Sequence, residues 1–296
     1  MSIVDAPVPS GWPARQPLAV SVSVMLEGWA EGSAPGIGPM GNPLKPGVPD
    51  LQALSWAEYG PKAGAWRLLD LLDREGVRAV FYTSGVVAER YPDLPAAIAM
   101  RGHVVAAHGW SQGTLPPYLT GDAEQSDIIR CVDVLSRTAG RHPHGWLSPR
   151  CTPSAMTSRL LVHSGFRWHA DMFDADLPYW IATEDGSLLG MPFTMEVNDM
   201  PLYVRYGNEP EAFSRTLARI LAGWGSTGQS VRLPRHYRPR PHIRQTVRRD
   251  RVARRDRTGS AVQPLLADRS RATGGAVSLR CPRNSPPRQE TSWQYS

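Results

Sequence analysis

Short apolar runs and longer amphipathic stretches alternate along the chain from residue 18 to about residue 224. Leu18 to Met25 sets Val20, Val22 and Val24 against Ser21 and Ser23, the two-residue period of a strand. Gly60 to Glu75 carries Trp66, Leu68, Leu69, Leu71 and Leu72 at helical spacing, with Gly76 placed to end the helix. Val77 to Tyr82 reads as a second strand, Tyr91 to Arg101 as a helix closed by Gly102, and Val104 to Ala107 as a third strand. Asp122 to Ala139 is a helix with Ile128, Ile129, Val132 and Leu135 on one face. Gly145 to Leu147 is a fourth strand. Thr152 as cap and Pro153 as first residue open a helix that ends near Gly165. Phe166 to Ala170 and Leu188 to Phe193 are the fifth and sixth strands. Asn208 and Glu211 form a capping box for a helix to about Gly223. The Gly- and Pro-rich residues from Ala30 to Ser55 read as a lid loop.

Strand followed by helix, repeated six times before residue 225, predicts an α/β fold with a parallel sheet. Each apolar run stops at polar or aromatic residues. That favours a TIM-like barrel whose chemistry lies at the C-terminal mouth of its strands. The chain divides into an extended N-terminal arm (1–17), a barrel (18–225) that lacks its last elements, and a tail (226–296).

Composition separates the tail from the body. Residues 226–296 hold 16 arginines, no lysine and four acidic residues; residues 1–225 are net acidic by six charges. A basic tail can bind nucleic acid, but the acidic body argues against that as the main function. Pro, Ser and Arg without periodicity fit either a disordered tail or a stretch read out of frame, and the second is preferred. No apolar run reaches the length of a membrane helix, and no secretory leader is recognisable. Cys131, Cys151 and Cys281 show no paired spacing, so the expected setting is the reducing cytoplasm.

The predicted mouth gathers Glu27, Trp29, His108, Trp110, Gln112, Arg150, Asp171, Asp174, Asp176, Trp180, Asn198 and Asp199. Singly, each has an ordinary structural reading: a surface histidine, a loop-capping aspartate, an arginine paired with one of them. Their coincidence at successive strand ends raises the functional reading. Cys151 beside Arg150 is a weak candidate nucleophile.

Gly102 to Gln112 resembles the histidine motif of the polysaccharide deacetylase (NodB-homology, carbohydrate esterase 4-like) superfamily. Leu18 to Gly28 falls where that family carries its paired-aspartate strand, and Gly145 to Pro153 where it carries an arginine–proline motif. The Asp-Leu-Pro-Tyr-Trp box at 176–180 is most similar to the branch of allantoinase-type enzymes and peptidoglycan deacetylases. The resemblance spans residues 18–224. It implies a distorted (β/α)7 barrel and hydrolysis of a carbon–nitrogen bond other than a peptide bond, in an N-acetylated sugar or a cyclic amide. Residue by residue, Leu26 stands at the base aspartate, Glu27 at the ligand aspartate, His108 at the first ligand histidine and Gln112 at the second. The departures at Leu26 and Gln112 favour a metal-free mechanism. Glu27 or Asp171 then activates water, His108 and Arg150 polarise the carbonyl, and Trp29, Trp110, Gln112, Asp176, Trp180, Asn198 and Asp199 bind substrate. In the metal-assisted alternative, Glu27 and His108 hold a divalent ion such as zinc. An inactive binding protein of the same fold is the competing function, and a homo-oligomer is expected from the incomplete barrel.

Overall fold

The computed structural model describes residues 19–30, 33, 44–45 and 47–226, with 278–279 and 293–294. The arm and almost all of the tail lie outside the described residues. The described residues divide into two compact units between Phe193 and Thr194.

Seven strands of the first unit form one sheet. They are β1 (Ser23–Leu26), β2 (Val80–Thr83), β3 (Val104–Ala107), β4 (Gly145–Trp146), β5 (Trp168–His169), β6 (Tyr179–Thr183) and β7 (Gly186–Gly190). Their order is β1-β2-β3-β4-β5-β7-β6. Every pairing is parallel except β6 against β7. The α/β class and the sequential parallel order agree with the sequence. Among the described residues the sheet is open, with β1 and β6 at its edges.

The period of two divides each strand between two cores. Val24, Leu26, Phe81, Val105, Ala107, Trp146 and Leu188 join the helix-packed core. Tyr82, Ala106, Leu147, Trp168, Ala170 and Leu189 form a second cluster on the other face. Helix α1 (Leu51–Tyr59) runs through a π-helical turn (Gly60–Gly64) into α2 (Ala65–Glu75). Ala65, Leu68, Leu69 and Leu72 are the buried stripe of α2. Gly76, at φ 64°, takes the left-handed cap and donates its N–H to Asp73 and Leu72 carbonyls. Helices α3 (Gly85–Arg90) and α4 (Asp93–Met100) follow, then α5 (Gly121–Ala139), where Thr120 caps by accepting from the Ala123 N–H at 3.3 Å. Helix α6 (Thr157–His163) is the last α-helix of this unit among the described residues.

Several boundaries differ from the sequence reading. Residues 51–55 are helix, not loop; the helix predicted over 91–101 is found as α4, and α3 precedes it in a stretch where no helix was predicted. Helix α6 begins five residues after Thr152, with Met156 at its N-cap; ahead of it the Ser154 Oγ accepts from the Met156 N–H at 2.9 Å and donates to the buried Glu124 of α5 at 2.6 Å. Strand β6 lies between the predicted fifth and sixth strands, where no element was predicted.

In the second unit, helix α7 (Glu211–Ser226) begins at the glutamate of the predicted capping box. Asn208 instead donates from Nδ2 to the Leu202 carbonyl at 2.9 Å.

Candidate active site

Glu27, Ser84, His108, Leu147 and Ala170 are each the residue, or next to it, that follows strands β1 to β5, so the C-terminal sheet edge collects them. Alternation decides which side they face. Leu26 belongs to the helix-packed core with Val24. Glu27 then follows the register of Met25, which packs on the other cluster. His108 follows Ala106 in the same way.

The His108 Nδ1 lies 2.8 Å from the Leu147 carbonyl oxygen. A carbonyl only accepts, so Nδ1 carries hydrogen and the neutral ring keeps its lone pair on Nε2. That Nε2 lies 3.9 Å from Glu27 Oε1. His108 is fully buried, Glu27 is about one-third exposed (32%), and the Tyr82 ring meets the imidazole edge-on at 6.3 Å. The next residue, Gly109, has φ 68°, and a Cβ there would stand 2.5 Å from Pro149 Cγ. Only glycine lets the chain turn away here and keeps His108 against the β4 loop. A cavity of ≈ 480 Å³ opens beside Glu27, lined by Trp29, Leu54, Glu58, Arg90 and Tyr91 among others. Glu58 accepts from the Tyr91 hydroxyl and pairs with Arg90 at 3.4 Å. Burial, then Glu58, pushes the Tyr91 phenol up to about 12.

The other predicted residues are placed as follows. Asp171 is buried with both oxygens in use: Oδ1 accepts from the Ser148 N–H at 2.8 Å, and Oδ2 from the Ser148 hydroxyl at 2.9 Å and His169 Nδ1 at 3.1 Å. It anchors the β4 loop, where the sequence reading expected a base. Gln112 is closed to solvent and its amide is occupied within the protein. Trp110 does not line the cavity: it packs in the helix-side core, against the space left by Gly85, with the Arg130 guanidinium 3.3 Å from its ring centroid. Trp29 does line the cavity. Arg150 is exposed at the mouth in a left-handed turn, φ 52°. Asp174 is exposed and accepts from the Tyr179 hydroxyl at 2.7 Å. Asp176 is exposed in the same loop, and Trp180 sits on β6 against the second cluster. Asn198 and Asp199 belong to the second unit, where Asn198 Oδ1 accepts from the Met200 N–H at 3.0 Å. Burial, then the charges of Asp171 and Glu27, pushes the Cys151 thiol up to about 12, which removes it as a thiolate nucleophile.

Ser84, Ser148 and His169 are fully buried polar partners of this network that the sequence reading missed. Their strand-end positions were the available signal.

A profile of the polysaccharide deacetylase family matches residues 53–168. Residues 53–168 carry a polysaccharide deacetylase domain. The domain includes β2 to β4, His108, Gln112 and Arg150, while Glu27 precedes the matched span and Asp171 follows it. The chain is 26% identical over 167 residues to the peptidoglycan deacetylase of Helicobacter pylori, covering 56% of this chain and 55% of that protein. It thus spans about half the length of that relative. A Mycobacterium smegmatis crystal structure classed as a polysaccharide deacetylase superposes with a TM-score of 0.63 at 27% identity, covering 75% of this chain and 77% of the other. The Puue allantoinase structure gives 0.62 at 24%, covering 74% and 76%, a likeness of fold.

The deacetylase domain's implied metal can be tested on the donor set. Glu27 and His108 offer one oxygen and one nitrogen facing each other. Leu26, buried in the helix-side core, supplies no donor, and the Gln112 amide is committed to protein hydrogen bonds. No group of three His, Cys, Asp or Glu side chains with metal-site geometry occurs among the described residues. A catalytic zinc takes three protein ligands, and these residues do not fit it.

Proposed function

We propose that this chain hydrolyses a carbon–nitrogen bond other than a peptide bond, in an N-acetylated sugar or a cyclic amide, with Glu27 and His108 as its catalytic residues. The observation that carries the reading is the lone pair of His108 Nε2 held toward Glu27 Oε1 by the Nδ1 bond to Leu147. Glu27 lines a cavity at the strand ends, and the buried His108 stands 3.9 Å from its carboxylate. The names of the similar proteins supply the substrate classes.

In this reading a water between Glu27 and the substrate carbonyl loses its proton to the Glu27 carboxylate as its oxygen bonds to the carbonyl carbon. The neutral His108 relays that proton through Nε2 to the departing nitrogen as the carbon–nitrogen bond breaks. The products are a carboxylic acid and an amine, and both residues return to their starting state. The Leu147 bond gives neutral His108 the role of proton carrier: polarising a carbonyl would require a second ring hydrogen. Arg150 is the exposed cation available to the developing oxyanion. Asp171 keeps the β4 loop in place, Trp29 and the cavity beyond it receive the rest of the substrate, and no step uses a metal.

We assign the chain to carbohydrate or small-amide metabolism and, on cysteine usage, to the cytoplasm. The edges β1 and β6, unpaired among the described residues, favour self-association. No helix among the described residues is long and apolar enough to cross a membrane. A screen of N-acetylated sugars and cyclic ureides for acetate, ammonia or ring-opened product tests the activity. Turnover of one class supports it; turnover of neither favours the binding-protein reading.

A further inference from the structure

We propose that Gln112 is a positioning residue: its side-chain amide ties together the strand ends that carry Ser84, His108 and Arg150, and holds Arg150 in its left-handed turn. The proposal rests on the function proposed above. Gln112 is fully buried and reaches four segments. Its backbone N–H donates to the Gly28 carbonyl at 2.8 Å, just after β1. Its Nε2 donates to Ser84 Oγ, just after β2, and to the His108 carbonyl, just after β3, each at 3.0 Å. Its Oε1 accepts from the Arg150 N–H at 2.9 Å, in the loop after β4.

The pattern suits an amide and no close substitute. Two donors on one nitrogen and an acceptor on the oxygen meet two acceptors and one donor. A histidine offers one of each in its neutral form, a glutamate has no donor when ionised, and an asparagine is one methylene short.

The bond to Arg150 falls on an unusual backbone. Arg150 and Cys151 are consecutive non-glycine residues with φ 52° and 53°, a region disfavoured for residues with a Cβ. The Cys151 N–H also bonds the Ser148 carbonyl at 2.8 Å, and Asp171 holds Ser148 in turn. Gln112 and Asp171 thus grip the turn from two sides. A loose turn would let the exposed Arg150 guanidinium sample positions away from the reacting carbonyl.

The test combines crystallography, stability and kinetics on Gln112→Met, which keeps length without hydrogen bonds, and Gln112→Glu, which keeps the acceptor for Arg150. In Gln112→Met, residue 150 is expected to leave the left-handed region. kcat on the substrate found by the screen is expected to fall at least about tenfold with KM within about twofold, since misplacement is felt in the transition state. Gln112→Glu is expected to keep the positive φ at residue 150 and more of the kcat. In an Arg150→Gly background, where residue 150 no longer carries a Cβ in the left-handed region, Gln112→Met is expected to lower the melting temperature less than in the wild-type background. A positive φ retained in Gln112→Met with unchanged kcat, or equal melting losses in the two backgrounds, overturns the proposal. If the wild type turns over neither class of amide, the functional reading fails, and the backbone at residue 150 with the melting comparison decides the structural proposal alone.

Discussion

Glu27 Oε1 and His108 Nε2 face each other across 3.9 Å from the ends of β1 and β3, two strands separated by β2. The parallel register aligns Leu26 with Thr83 and Thr83 with Ala107, so the residues one step beyond share one level.

The donor set predicts that purified protein holds no stoichiometric zinc or other divalent ion. Chelator treatment should leave turnover unchanged. Elemental analysis with activity before and after dialysis against EDTA checks this; one bound ion per chain, lost in Glu27→Gln together with activity, contradicts it.

Asp171 receives three hydrogen bonds in a buried setting. Bonds to a charged group contribute about 1.5–3 kcal/mol each, and they are not additive. Asp171→Ala should therefore destabilise by roughly 3 kcal/mol or more by urea denaturation. Asp174→Ala, at an exposed loop position, should cost under about 1 kcal/mol. Equal effects would contradict the anchoring role of Asp171.

His103 stands at the start of β3, buried, with Nδ1 accepting from the Ala79 N–H at 3.2 Å. Burial lowers its pKa; the Arg78 and Arg101 charges lower it further, and Asp73 opposes them. The folded state therefore disfavours the protonated ring. The stability contribution is complete above the ordinary histidine value of about 6.5 and is lost as pH falls below it toward the lower folded value. His103→Gln should show a smaller loss of stability between about pH 7 and 5 than the wild type. Denaturant titrations at several pH values measure it, and identical slopes would contradict the assignment.

Cys151 should be inert. With its thiol pushed up to about 12, iodoacetamide at neutral pH should modify it far more slowly than a free cysteine. Cys151→Ser should keep activity. Rapid alkylation with loss of turnover would return Cys151 to the list of nucleophiles.

Much of this fold is legible in the sequence, for reasons that differ from place to place. Strand β3 is found at its predicted bounds because Val104–Ala107 is a compact apolar run set off by Gly102 and Gly109. Helices α2 and α5 carry clear apolar stripes and glycine stops at Gly76 and Gly140. Strand β6 was missed because acidic and aromatic residues of the 171–180 box mask it. The Asp185-Gly186 pair after Tyr179–Thr183 was a usable hairpin signal. The start of α6 could not be read locally, since Glu124 from α5 fixes Ser154 and Thr157 through the fold. Within the site, strand-end position identified Glu27 and His108 as candidates. It could not tell residues that face the cavity from those that brace it: Trp110, Gln112 and Asp171 stand at the same edge but spend their side chains on packing or on buried hydrogen bonds.

The most direct test of the central claim is product release by Glu27→Gln and His108→Ala, each confirmed folded by circular dichroism, on the best amide from the screen. Both variants are predicted to lose at least about a hundredfold in kcat, the range expected for removal of a general base or proton carrier. Wild-type turnover in both would contradict the assignment of the reacting centre to this pair.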